Sequence, residues 1–290
     1  MLADGIRAET LRLSRNATVL FWSVVFLPVF GLVMSVLGNV LMKTSAAKIT
    51  LNGRAPPELA QMMMGGPVRL VEEVVSGVAD MANPAVLLFL LIGAATLYAG
   101  DYRWETWRLI SARNSRINLL LGKVGAFGLL ALAAMIALLA GEIAETVLKA
   151  VILNRPLSLE VGANVGGRFL GGFVLSWLAL MQFTLIGLLA AVTTRSLLAT
   201  VIIPIVVGVA QLLSPQTLAL LGLAPDGWIA TLANPGAAFV YLRAAVEGGD
   251  MARGLSGQHA AMGLVSVAFW IAWPLAAALW RFQRQDLAKE

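Results

Sequence analysis

Six stretches of this chain stay apolar over lengths that a bilayer demands and a soluble core does not. They run Val19–Met42, Ala85–Gly100, Leu119–Leu148, Phe169–Val192, Leu197–Leu213 and Met262–Trp280. Crossing membrane hydrocarbon takes roughly 20 mostly apolar residues, and Ala85–Gly100 reaches that length only by beginning earlier. In lipid a spanning segment must satisfy its own backbone, so each stretch is predicted as a helix. The expected fold is an all-α membrane protein, a six-transmembrane-helix bundle forming one domain over residues 1–290. Composition agrees, with 59% hydrophobic and 13% charged residues against roughly 25% charge in an ordinary soluble domain.

The same composition excludes whole classes of chemistry. There is no cysteine and one histidine, His259, so disulfide frameworks, thiolate nucleophiles, cysteine zinc sites and multi-histidine metal sites are ruled out. Net charge is +5, but no basic run interleaves with aromatics, so nucleic acid is not an expected partner. Arg7, Arg12 and Arg15 precede the first apolar stretch. That stretch exceeds the 7–15 residues typical of a cleavable signal, and it reads as a retained first span.

Lys and Arg set the expected orientation. With the N-terminus inside, the cytoplasmic pieces are residues 1–18, 101–123, the link Thr194–Ser196 and the tail 281–290. They hold Arg7, Arg12, Arg15, Arg103, Arg108, Arg113, Arg116, Lys123, Arg195, Arg281, Arg284 and Lys289, which is 12 of the 21 basic residues. The positive-inside rule then places both termini in the cytoplasm of a cell with this protein in its inner membrane. The external segments are 43–84, with an amphipathic stretch near Val68–Val78; 150–168; and 214–261, which carries Pro215, Pro225 and Pro235. Within the last, Trp228–Leu232 and Ala237–Val246 are too short to cross and are expected to be re-entrant or interfacial helices.

The most informative segment is Asp101-Tyr-Arg-Trp-Glu-Thr-Trp-Arg-Leu-Ile-Ser-Ala-Arg-Asn-Ser-Arg116 with Gly122-Lys123 beyond it. At helical spacing Trp104, Trp107 and Ile110 share one side, while Arg103, Arg108 and Arg113 lie elsewhere, which is the pattern of a helix at a membrane surface. On residues alone this is equally a positive-inside loop with interfacial tryptophans.

The segment resembles the first cytoplasmic loop of type-2 ABC exporter permeases. The matching pieces are the acidic Asp101 at a span end, Thr106-Trp107-Arg108, Ser115-Arg116 and Gly122-Lys123; the chain departs from the family pattern at Glu105, where Gly is usual, and at Asn114, where Pro is common. The N-terminal Ala8–Arg15 resembles the family's helix along the membrane, and Phe282–Leu287 its usual ending. The resemblance implies a half-transporter without an ATPase site of its own, working with a cytoplasmic ABC ATPase and a second permease subunit, identical or not. It implies amphipathic coupling helices in 101–123, with Asp101, Arg103, Glu105, Thr106, Trp107, Arg108, Arg113 and Arg116 contacting the ATPase. The chain binds no cofactor on this reading: ATP and Mg²⁺ belong to the partner. Gly122-Lys123 agrees, since neither the preceding glycines nor a following Ser or Thr of a phosphate loop is present.

Other residues carry two readings each. Glu142 and Glu145, at i and i+3, share a helix face and form either a cation or polar-substrate site or a solvated pair at the outer interface. Gln182, in the fourth stretch near Ser176 and Thr184, is either a substrate-path contact or an interhelical hydrogen-bonding group. Pro204 frees a carbonyl and can kink the fifth span. Gly167 and Gly171 form a small-xxx-small pair. A Ser176–His259 protease would need both residues inside the bundle, and Met62–Met64 would suit copper(I) or plain packing. An ion-coupled carrier would need charge at the span centres, where the six stretches have none. A membrane scaffold without transport is the remaining alternative.

Overall fold

The computed structural model describes residues 2–51, 65–103, 115–224, 226–248, 253, 255 and 257–285, with side chains not described at 46–51 and 103. Among the described residues the protein is all-α apart from two short strands in parallel register, β1 (Val68–Arg69) and β2 (Leu157–Ser158). Its helices are α1 (Leu2–Ser14), α2 (Ala17–Leu20), α3 (Phe26–Leu51), α4 (Leu70–Asp80), α5 (Pro84–Arg103), α6 (Arg116–Ile152), α7 (Val165–Thr194), α8 (Leu197–Leu220), α9 (Trp228–Ala233), α10 (Pro235–Glu247) and α11 (Gly257–Gln283).

Among the described residues, six helical segments are long and apolar enough to cross a bilayer: Ala17–Ser45, Pro84–Tyr102, Arg116–Ile152, Val165–Thr194, Leu197–Leu220 and Gly257–Gln283. Each expected stretch falls within one of them or nearly so. Both ends of the described chain lie at one end of the bundle, called the terminal face below; the opposite end is the distal face. α1 docks at the start of α6, where a Cβ on Gly122 would come within 3.2 Å of the Gly5 carbonyl carbon. Gly122 thus admits the backbone of α1, and this close approach seats the N-terminal helix across the bundle.

Between α2 and α3 lies a π-helical turn, Phe21–Val25. Pro28 follows directly, and a proline ring crowds the carbonyl four residues before it. The widened turn relieves that crowding. Across the interface Ser23 donates to the Phe89 carbonyl at 3.0 Å.

α6 has 37 residues and so runs roughly 55 Å at 1.5 Å per residue. Its antiparallel neighbour is a broken helix. Lys123 meets Leu97, Gly77 approaches Glu142 and Glu73 meets Lys149, so α4 and α5 follow one another down the flank of α6. The break at Met81–Asn83 is closed by Asn83, whose Oδ1 accepts from the amides of Ala85 (2.9 Å) and Val86 (3.0 Å). The open carbonyls at the end of α4 are not left bare: Ser176 Oγ donates to Val78 O at 2.8 Å, and Arg243 donates to Ala79 O.

A second interruption lies between α8 and α11. α9 and α10 form a hairpin with Asn234 at its tip, capping α10 by accepting from the Ala237 amide. The carbonyls of Thr231 and Leu232 accept from Ser266 Oγ (2.8 Å) and Trp270 Nε1 (2.7 Å). Those donors lie nine and thirteen residues into α11, so the tip reaches about 15–20 Å down that helix. The hairpin is re-entrant, and its backbone is satisfied by protein, as lipid depth requires.

α8 continues to Leu220 through Pro215, past the expected end at Leu213. Pro215 falls two residues beyond that stretch, and the helix absorbs it. α11 likewise begins at Gly257, which brings His259 into a helix rather than a loop.

Candidate functional site

Four charged residues of the terminal face form one knot, buried at Lys123 and Asp101 and open to solvent at Arg12. Asp101 ends the second span and Lys123 begins the third, each facing apolar neighbours. Lys123 Nζ lies 2.5 Å from Asp101 Oδ2 and 3.0 Å from Glu9 Oε1, and donates to Leu97 O at 2.8 Å. Arg12 Nη1 donates to Asp101 Oδ1 at 2.7 Å, with its Nε 3.5 Å from Glu9. Lys123 is 1% exposed and Asp101 2%. Such a pair holds only if both charges are well matched, because desolvation costs several kcal/mol per ion. Here two acids and two bases from α1, α5 and α6 balance one another.

A second clasp closes over the chain's end. Arg116 Nη1 donates to the carbonyls of Phe282 (3.3 Å), Gln283 (2.9 Å) and Gln285 (2.6 Å), the groups a helix C-terminus leaves unsatisfied. A cation there also meets the negative end of the helix dipole. Tyr102 donates to Gln285 Oε1 at 3.0 Å, and Gln285 Nε2 donates to Val192 O at 2.5 Å. Arg195, in the left-handed conformation (φ 57°) that turns α7 into α8, stacks its guanidinium 5.9 Å from the Tyr102 ring. Ser115 caps α6 by accepting from the Asn118 amide at 3.3 Å.

These two clasps bracket residues 104–114. Asp101 holds one side of that stretch and Arg116 the other. Both spend their charge within the chain, as anchors. Glu105, Thr106, Trp107, Arg108 and Arg113 lie outside the described residues, as does the side chain of Arg103; so do Met62–Met64.

No known protein family, characterised protein or solved structure matches this chain.

The remaining candidates scatter. Glu142 and Glu145 flank α4 near the distal face, and a Cβ on Gly77 would strike the Glu142 side chain. Gln182 is fully buried on α7 and neither its amide nitrogen nor its oxygen has a partner among the described residues. Gly171 of α7 abuts Val246 of α10; the same spacing carried down these antiparallel helices puts Gln182 level with Pro235 at the hairpin tip. Gln182 and the two glutamates therefore do not share a site. Gly171 admits Val246, whereas Gly167 meets only its own Asn164, so the glycine pair is not one packing face. Ser176 is committed to Val78, and His259 stacks edge-on against Tyr241 at 5.1 Å, so no Ser–His pair forms. Pro204 stands beside Gly187, where a Cβ would lie 3.0 Å from the Thr200 carbonyl, the very group that Pro204 leaves without its helical donor. An apolar cleft of about 420 Å³ opens between α5, α7 and α8, lined by Leu87, Phe183, Pro204 and Gly208 among others.

Sequence reading missed Glu9 and Lys123 as partners of Asp101. Part of the signal was present: Asp101 and Lys123 stand at ends of successive spans that one face of the bundle must bring together, whereas Glu9 lies in α1, ahead of the first span.

Proposed function

We propose that this multi-pass membrane protein is the permease subunit of an ATP-binding-cassette transporter, an exporter in the inner membrane with its terminal face in the cytoplasm. A separate ATPase docks at residues 104–114, and a second permease subunit completes the channel. The observation that carries this reading is the pair of clasps around that stretch. A force applied there reaches α1, α5 and α6 through Asp101, and the end of α11 through Arg116. Buried ion pairs and backbone clasps transmit such a push as rigid-body motion. The arginines of the stretch suit an acidic groove, since guanidinium forks hold carboxylates in fixed geometry.

The test uses Arg108→Glu with Arg113→Glu, which leaves both clasps intact. The double variant is expected to insert normally and to lose co-purification with the ATPase at least tenfold. Normal complex yield would remove the docking claim. Orientation is checked separately. The chain has no cysteine, so a single cysteine at Ser115 should resist a membrane-impermeant maleimide in intact cells while one at the exposed Glu160 reacts. The reverse pattern would overturn the assignment.

A further inference from the structure

A cleft of about 350 Å³ opens at the distal face between the β1–β2 pair and α4, with Arg69, Arg155, Glu72, Glu73 and Ser76 in its walls. Charge balance decides what it can take. Glu72 is neutralised by Arg168 at 3.1 Å and Glu73 by Lys149 at 2.8 Å. Arg155 donates through Nε (2.9 Å) and Nη2 to the Gly66 carbonyl, a neutral partner that leaves its charge unmatched and its Nη1 edge open. Arg69 is exposed and pairs with no acid among the described residues. Among the described residues, two guanidinium charges thus lack an acidic partner in a cleft whose acids are already matched. Guanidinium forks favour oxygen-rich anions that accept two bonds at once, phosphate foremost.

The cleft's rim has a second character. β2 pairs Leu157 with Val68 and Ser158 with Arg69, and beyond it the chain alternates apolar and polar residues. Leu157, Leu159 and Val161 are 41%, 65% and 71% exposed, although none belongs to a spanning helix. On α6 the exposed apolar surface continues up to Val151, 65% exposed, one turn before Arg155. Apolar surface therefore runs from the membrane span to the edge of a cationic cleft. A phospholipid is the ligand that answers both, offering phosphate to the arginines and its glycerol–acyl shoulder to the aliphatic rim.

We infer that this cleft binds the phosphate of a lipid headgroup from the leaflet at the distal face, with Arg69 and Arg155 as its ligands and Leu159 and Val161 as its membrane contact. The site is independent of the transporter reading, because it lies at the other end of the molecule and involves no ATPase.

The test uses the full chain in detergent, with phosphatidylglycerol as the probe, diacylglycerol as the phosphate-free control, and inorganic phosphate as the solute control. Retention of bound phosphatidylglycerol is read by native mass spectrometry. A cation at a membrane surface contributes enough that Arg69→Gln should weaken binding about fivefold, and Arg69→Gln with Arg155→Gln about 25-fold. Diacylglycerol binding should not change. The Arg69 side chain makes no hydrogen bond or ion pair among the described residues, so its single variant keeps the test valid if loss of Arg155 disturbs the fold. Leu159→Ser with Val161→Ser should lower lipid retention and leave any thermal shift by inorganic phosphate unchanged. A phosphate-induced shift that needs Arg69, with lipid retention equal in all variants, would assign the cleft to free phosphate and overturn the lipid. Equal retention together with no phosphate effect would overturn the site altogether.

Discussion

The two faces of the bundle handle charge in opposite ways. At the terminal face Lys123 and Asp101 have side chains 1% and 3% exposed and sit in a four-residue knot. At the distal face the Lys149–Glu73 and Arg168–Glu72 pairs are about a quarter to two-fifths exposed. A knot with a buried centre is brittle: it holds helices in one arrangement, and loss of Lys123 or Asp101 strands a charge, whereas Arg12, 43% exposed, can turn to water. Wet pairs are worth little and re-form easily, at about 0–1 kcal/mol each. The comparison teaches that the terminal face is built to move as one piece, while the distal face can shift its short helices at small cost.

Three substitutions test that contrast. Lys123→Met should have the largest effect, destabilising the protein by about 3–5 kcal/mol because Asp101 and Glu9 lose their buried cation. Thermal unfolding in detergent reads it, and Lys123→Met with Asp101→Leu should recover a good part of the loss. A double variant no better than the single would mean that packing, not charge, holds the knot. Arg116→Ala should cost about 2 kcal/mol by stripping a charged donor from three carbonyls. Arg116→Lys should restore little of it, since one ammonium cannot copy the fork; full rescue by lysine would reduce the clasp to simple charge. Glu73→Gln should be smallest, under about 1 kcal/mol and vanishing in high salt. A Glu73 effect as large as that of Lys123 would erase the distinction between the faces.

Much of the fold was legible because span length is a physical constraint written directly in hydropathy. The six helices follow from it, and so does the expectation that Trp228–Leu232 and Ala237–Val246 do not cross. What depended on tertiary pairing was not legible. Ser176, Ser266 and Trp270 each satisfy a carbonyl of a broken or re-entrant helix, yet a hydroxyl or indole in an apolar run looks the same whatever it bonds. Arg243 holds a carbonyl at the end of α4, a partner that nothing in its sequence neighbourhood marks. Asp101 and Arg116 were singled out by motif, and their anchoring role inside the chain has no linear signature, because Glu9 and Lys123 stand 92 and 22 residues from Asp101, and the Gln285 carbonyl 169 from Arg116.

The widened turn at Phe21–Val25 makes the first span unusually forgiving at one place. It is a spare link, since a π turn carries one residue more than an α turn needs. Shortening the chain by one there would let the span close into ordinary α-helix with both flanks still facing as they do. The same deletion a few residues later would swing everything beyond it by about 100° and carry Pro28 or its successors away from Gly141, which now lies so near that a Cβ would stand 3.3 Å from the proline ring. Length variation in this segment should therefore be absorbed at Phe21–Val25 and nowhere else along the helix.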